Sequence, residues 1–383
     1  MTGSKGIDIV PVKTRRQWNR FHGLPAELQR GRGRWIAPLR LQARQAWAPR
    51  NPFFRHARAQ AWLALRDGRV VGRISAQIDA LQRDQGRGGL GQFGSFEAID
   101  DRQVAAALLD TAARWLAAAG MREMQGPFDL SINQQSGLLV DGFDQAPMLM
   151  MNYNPPYYAD LLLDNDLVCC QHLLAYRGST RIDLPARVQR LLERLGDRLR
   201  VDALTGHQLI GQRETLRAIF NAAWAANWGF VPLTEAEFSH MIDDMKPLLW
   251  LRPGYVLLAR LDGEPAGFIV GLPDLNELIA DLDGRLLWNG GAIRLLWRIA
   301  RHRNTRLRVP LMGVLPRHHG SAAGALISYA LIDRLSVASR RDGVTEAEQS
   351  WILADNRGMC SIIESLGMRV AQRFAIYSRP LPA

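Results

Sequence analysis

The sequence predicts an α/β (α+β) protein built as two tandem domains, each a mixed, mostly antiparallel sheet flanked by helices. Three observations carry this. The chain has 383 residues, about twice a typical domain. One order of elements, a hairpin closing on Asp-Gly and then a strand, a helix and a strand, occurs twice, over residues 62–128 and 255–351. Within residues 307–368, a glycine-containing loop joins a β-rich run to a long helical pattern.

Residues 7–10 read as a first strand, and residues 61–65 and 70–76 flank the polar turn Arg66-Asp67-Gly68-Arg69 as a hairpin. A strand over 91–99 follows. Asp100 and Asp101 then cap a helix that carries Val104, Leu108, Ala112 and Leu116 on one face and stops at Gly120. Residues 123–128 form the next strand. A segment rich in Gly, Ser, Thr and Pro, 177–185, reads as the linker, which sets the domains at 1–178 and 185–383. The second half repeats the order: a strand from Val201, a helix over 213–228, a hairpin over 254–272 turning at Asp262-Gly263-Glu264, a strand over 306–314, a helix over 321–339, a strand over 346–353 and a last β segment over 369–378.

Composition narrows the class. Apolar residues make up 47% of the chain, enough for sizeable cores. Cys169, Cys170 and Cys360 are too few for a disulfide framework, and no metal-ligand spacing is visible. The N-terminus has no apolar signal region, and no run reaches the ~18 apolar residues of a spanning helix, so a cytoplasmic protein, soluble or peripheral at the inner membrane face, is expected. The net charge of +11 is uneven. Residues 14–58 hold eleven arginines against Glu27, a local balance of +10, interleaved with Trp18, Phe21, Trp35, Trp47, Phe53 and Phe54. That pattern fits contact with an anionic membrane surface, or a solvated arginine-rich face over an aromatic core; nucleic acid ranks behind both.

The loop after the strand over 306–314 is where chemistry gathers. A strand, a tight turn and a helix N-terminus aim several backbone N–H groups at one point, and the helix dipole favours an anion there. Arg317 adds a fixed positive charge, while Gly320 and Ala322 keep side chains clear of an approaching phosphate. This is a pyrophosphate cradle. The spacing Arg317-x-x-Gly320-x-Ala322 resembles the acyl-CoA signature of the GNAT acyltransferase superfamily. Residues 346–353 resemble that family's next strand, and Asn356, followed by Met359, Ile363 and Leu366-Gly367-Met368, resembles its Asn-containing helix. Two such halves at this length are similar to a double-GNAT family that includes the bacterial ceramide synthases.

The resemblance implies acyl-CoA as co-substrate and no metal. It places the CoA contacts at Val314, Leu315, Arg317, His318, His319, Gly320, Ser321, Ala322, Ala323, Gly324 and Asn356, with Val314 and Leu315 on the oxyanion side and the two histidines lending backbone N–H groups and positive character. It further implies direct transfer of the acyl group to an amine, preferentially a long-chain sphingoid base of the 3-oxosphinganine type, giving a ceramide-type amide. An N-acetyltransferase of a soluble amine or protein, an aminoacyl-tRNA-dependent transferase and a non-enzymatic CoA-binding protein are the rival readings.

Amide formation from a thioester needs a base for the amine proton. Glu346, Glu348 and Ser350 alternate onto one face of a strand, and Glu348 is the first choice. The tyrosine that many GNAT enzymes place seven residues after the Asn is Ile363 here. Either the thiolate leaves without an acid, or a tyrosine such as Tyr153 or Tyr157 replaces it. The Met-, Tyr- and Pro-rich run over 148–158 reads as core or as the wall of an acyl channel, and Met151, Asn152, Tyr157 and Tyr158, with Trp351, are the expected substrate contacts. In the first half, the matching strand-to-helix junction, Glu97-Ala98-Ile99-Asp100-Asp101-Arg102, has no glycine and three carboxylates, which would repel a pyrophosphate. That half is expected to be a degenerate copy serving as scaffold or acceptor wall.

Overall fold

The computed structural model describes residues 6–31, 33–251, 254–284, 290–301 and 304–382. Along the chain the strands are β1 (Asp8–Pro11), β2 (Ala57–Arg66), β3 (Arg69–Asp79), β4 (Leu90–Ala98), β5 (Glu123–Gly126), β6 (Leu138–Asp141), β7 (Val168–Ser179), β8 (Leu199–Ala203), β9 (Val256–Leu261), β10 (Glu264–Pro273), β11 (Arg306–Val314), β12 (Glu346–Leu353) and β13 (Arg369–Pro380). The chain divides into two compact units. One comprises residues 1–173, 279–292 and 372–383, the other 174–278 and 293–371.

In the first unit the strands run in the order β1, β2, β3, β4, β5, β13, and β6 also pairs with β13. The β2–β3 hairpin closes on Asp67 and Gly68, both at positive φ, the geometry that Asp-Gly supplies at low cost. The helix Arg102–Ala118 begins at Asp101, whose Oδ1 accepts from the amides of Gln103 and Val104, and Gly120 follows it at φ +80. Its apolar face, with Val104, Leu108, Ala112 and Leu116 fully buried, packs on Trp62, Ile74, Phe93 and Met124. β4 and β5 pair in parallel over Leu90–Gln92 against Glu123–Gln125.

The arginine-rich segment turns its aromatics inward. Phe21 and Phe53 are buried, Trp18, Trp47 and Phe54 are half-buried, and Trp18, Phe21 and Trp47 meet in edge and tilted contacts. The aromatics therefore pack against the protein, while Arg15, Arg16, Arg30, Arg34, Arg44 and Arg50 are exposed, as is Leu41.

In the second unit the order is β7, β12, β11, β10, β9, β8. Its hairpin closes on Asp262 and Gly263, again at positive φ. The helix Ala322–Arg341 lays Ile327, Leu331 and Leu335 on one face of the sheet, against Leu257, Ile269 and Leu307. On the other face, Trp224 of the helix Arg213–Trp224 packs on Phe268 at 6.2 Å between ring centroids and leaves no room for a side chain at Gly313. Arg177, expected to open a linker, instead lies within β7 and is buried.

Candidate active site

The cradle is formed by the turn between β11 and the helix Ala322–Arg341. Ser321 caps that helix: its hydroxyl accepts from Gly324 N–H at 3.2 Å and donates to the His318 carbonyl at 2.6 Å. Gly320 sits at φ +66, where a side chain would be strained. Gly324 answers a different need, because a Cβ there would lie 2.2 Å from the His318 carbonyl oxygen. The amides of Gly320, Ala322 and Ala323 meet no acceptor among the described residues, and they stand at the positive end of a 20-residue helix. Three open donors around one point can bind a phosphate.

Other members of the predicted set are placed differently. His318 and His319 form a 3-10 turn with Pro316 and Arg317, and their amides donate to the carbonyls of Leu315 and Pro316. Those two N–H groups are therefore engaged within the turn. Protonation of His318 is also disfavoured: burial, then Arg317, then His319 lower its pKa, and its Nε2 accepts from Arg317 Nε at 3.2 Å. His319 Nε2 lies 2.6 Å from the Val314 carbonyl, which can only accept, so that nitrogen carries the proton. Arg317 is exposed and donates to the Pro265 carbonyl at 2.6 Å. Asn356 caps the helix Arg357–Ser365, its Oδ1 accepting from Met359 N–H, and Ile363 is fully buried in that helix.

β11 and β12 pair in parallel only over Arg306–Val309 and Glu346–Gln349, and beyond that the two strands part. On its other edge β11 stays with β10. Leu315 N–H donates to the Ala266 carbonyl at 2.8 Å, so Leu315 is not free to serve an oxyanion. Antiparallel alternation then turns the N–H of Val314, paired opposite Gly267, toward the notch where β12 has moved away. Val314 alone of the two presents a donor there.

Beside the notch lies a buried ionic cluster. Glu348 is fully buried; its Oε2 accepts from Arg177 Nε at 2.7 Å and its Oε1 from the Ser350 hydroxyl at 2.7 Å. Arg308, paired opposite Glu348 in the sheet, donates from Nε to Ser350 Oγ at 3.0 Å and lies 4.9 Å from the ring centre of half-buried Trp351. Burial pulls the Arg308 pKa down to about 10, against the opposing pull of Glu348 and Asp274, so it stays charged at neutral pH. Glu346 lies at the start of β12, half-buried.

No protein-family model matches the chain. It is 38% identical over 378 residues to a bacterial ceramide synthase of Caulobacter vibrioides (strain NA1000 / CB15N), covering 98% of each chain. The chain belongs to the family of this ceramide synthase. Protein YghO of Escherichia coli (strain K12) is 37% identical over 362 residues, 94% of this chain and 92% of that protein. Among solved structures, a tandem GNAT protein from the clavulanic acid biosynthesis pathway shares the fold, with a TM-score of 0.57 at 13% identity over 99% of both chains.

The first unit has no such notch between its own parallel strands β4 and β5. After β5 the chain turns back on β4: Phe128 N–H donates to the Phe93 carbonyl at 2.8 Å, and a Cβ at Gly94 would lie 1.7 Å from the Phe128 carbonyl oxygen. Ser95 binds Asp129 through both its amide and its hydroxyl. The acidic junction is closed as well. Tyr158 donates to Glu97 Oε2 at 2.6 Å and accepts from Ala98 N–H, while Tyr157 donates to the Ala98 carbonyl. Tyr158 is fully buried, and burial raises the Glu97 pKa, with Arg73 opposing. Tyr153 donates to the Phe143 carbonyl at 2.8 Å and accepts from Arg34 N–H, and Asn152 donates to the Gly137 carbonyl. Met151 is buried. The polar groups of the run over 148–158 thus hold its own unit together.

Sequence reasoning missed Arg177, Arg308 and Tyr176 of the tandem GNAT enzyme. Tyr176, on β7, donates to Glu364 Oε1 at 2.8 Å. Arginine in a strand ordinarily reads as an exposed residue, and only the register of β11 and β12 shows that Arg308 stands opposite Glu348. Among the described residues, no group of three or more His, Cys, Asp or Glu side chains could hold a metal ion.

Proposed function

We propose that the protein transfers an acyl chain from acyl-CoA to the amine of a long-chain sphingoid base, giving a ceramide-type amide. The observation that carries this acceptor is the likeness to a bacterial ceramide synthase at 38% identity over 98% of both chains. The geometry supports the donor half: the open amides of Gly320, Ala322 and Ala323 suit the pyrophosphate, and Arg317 adds charge nearby. In this reading the second unit carries the acyl-CoA site, and the first, with its notch filled, is a degenerate copy that supports it.

The pantetheine arm would lie in the notch between β11 and β12. There the Val314 N–H stabilises the oxyanion as the neutral amine attacks the thioester carbon. The C–N bond forms, the C–S bond breaks and the electron pair leaves on sulfur. The amine proton passes to Glu348 through the Ser350 hydroxyl, which already donates to that carboxylate, and the charges of Arg177 and Arg308 hold Glu348 and Ser350 in place. Glu346, on the same strand, is a secondary candidate for the base, and Trp351 a candidate substrate contact. A thiol with a pKa near ~8.5 can depart as thiolate without a dedicated acid, which removes the need for a tyrosine at the Ile363 position. A peripheral location at the inner face of a membrane belongs to the same reading.

The test is turnover by the purified protein of palmitoyl-CoA with 3-oxosphinganine, read by mass spectrometry of the amide, against acetyl-CoA with soluble amines. Formation of the N-palmitoyl product is expected. Turnover of acetyl-CoA alone, with no lipid amide, would replace this reading with an N-acetyltransferase.

A further inference from the structure

The helix Gly291–Arg301 has the sequence GAIRLLWRIAR. At 3.6 residues per turn, Ile293, Leu296 and Trp297 fall within an arc of about 100° on one side. That side faces solvent: Ile293 is 74% exposed, Leu296 65% and Trp297 57%. The opposite side, with Leu295, Arg298 and Ile299, is half-buried, and Arg298 donates to the Leu278 carbonyl at 2.7 Å. An inward apolar stripe is what any surface helix has; a second stripe of three large side chains turned outward marks a contact surface. The remaining exposed large hydrophobic residues among those described, Leu41, Leu163, Val168 and Ile210, come from four different elements and form no such row.

Charge indicates what covers this face. The helix itself carries three arginines, Arg294, Arg298 and Arg301, and no acidic residue. Arg294, beside Trp297 on the helix surface, is exposed. An outward row of Ile, Leu and Trp bordered by arginine matches a surface that is apolar beneath an anionic layer, where indole seats at the boundary and guanidinium meets phosphate. The basic segment over 14–58 has the charge without the exposed apolar row, because its aromatics are packed inward. No described helix is long and apolar enough to cross a membrane, so contact through this helix is interfacial.

We propose that the Ile293–Leu296–Trp297 face of the helix Gly291–Arg301 docks the protein on an anionic phospholipid bilayer, with the helix lying in the plane of the interface. The proposal rests on this surface alone, whatever the amine acceptor is.

Sedimentation with vesicles tests it. The full-length protein is expected to bind vesicles of phosphatidylglycerol and phosphatidylethanolamine at low salt and to bind phosphatidylcholine vesicles weakly. The triple variant I293S/L296S/W297S changes only exposed side chains, and its fold is checked by circular dichroism and the thermal midpoint. It is expected to lose about tenfold or more of the binding. R294E, a single exposed change, is expected to weaken binding and flatten its salt dependence. R15Q/R16Q, in the basic segment, is expected to keep most of it. The proposal is overturned if the triple variant binds as the wild type does, or if the wild type ignores anionic vesicles. It is equally overturned if light scattering shows a wild-type dimer that the triple variant breaks, since the face would then join two copies of the chain.

Discussion

Arg177 Nε donates to Glu348 Oε2 at 2.7 Å, with both side chains buried and 171 positions apart in the sequence. A carboxylate in that setting depends on its partner. Arg177→Gln should leave a charge buried with too little compensation and cost roughly 3–5 kcal/mol, measured by urea unfolding. Replacing both residues together, as R177M/E348L, should cost less than the sum of the single changes. Additive losses would show that the pair is not energetically coupled.

If Glu348 accepts the amine proton by way of Ser350, Glu348→Gln should lower kcat by about 10²-fold while leaving KM for acyl-CoA nearly unchanged. The variant must be assayed where it is folded, because Gln also weakens the contact with Arg177. A folded E348Q protein with unaltered kcat would remove Glu348 from the chemistry.

Gly324 and Gly320 separate two reasons for glycine in one loop. Gly324→Ala puts a methyl group against the His318 carbonyl, 2.2 Å from its oxygen, and must displace the turn that sets the helix N-terminus. KM for acyl-CoA is expected to rise about tenfold or more. Gly320→Ala meets nothing within 4 Å and pays only for its φ of +66, about 1 kcal/mol of stability with a smaller change in KM. Steady-state kinetics with acyl-CoA as the varied substrate distinguishes the two.

His22 should make the first unit sensitive to mild acid. Burial, then Arg73 and Arg44, lower its pKa from 6.5 to about 4, and its ring stacks on Trp18 at 5.4 Å. The unfolded chain therefore binds a proton at a higher pH than the folded chain does. The stability from keeping His22 neutral is complete above pH 6.5 and is lost as the pH falls toward 4, by at most about 3 kcal/mol. His22→Gln should flatten the difference in unfolding free energy between pH 7 and pH 5. An unchanged slope in the variant would mean that His22 plays no part.

Local chemistry made much of the fold legible. Both hairpins close on Asp-Gly pairs at positive φ, Asp101 caps its helix, and the cradle helix begins at Ser321, because each of these features depends on residues within a few positions of one another. The ionic cluster was hidden for the opposite reason. Arg177 and Arg308 look like ordinary surface arginines until β7, β11 and β12 are brought together. The two histidines show a subtler limit. They lie in the turn before the cradle helix, yet the 3-10 turn engages their amides, and burial, then Arg317 and His319, lower the pKa of His318, neither of which a spacing pattern encodes.

The early parting of β11 and β12 has a consequence outside catalysis. Four paired residues on each side leave the rest of both strands with backbone groups that face a gap inside a sheet. An edge of that kind is a template onto which any extended chain can add, including a neighbour's, and a folded protein ordinarily shields it. If, as proposed, the pantetheine arm lies in this gap, it would also act as a guard, and the protein without acyl-CoA would be the form most exposed to unwanted strand addition.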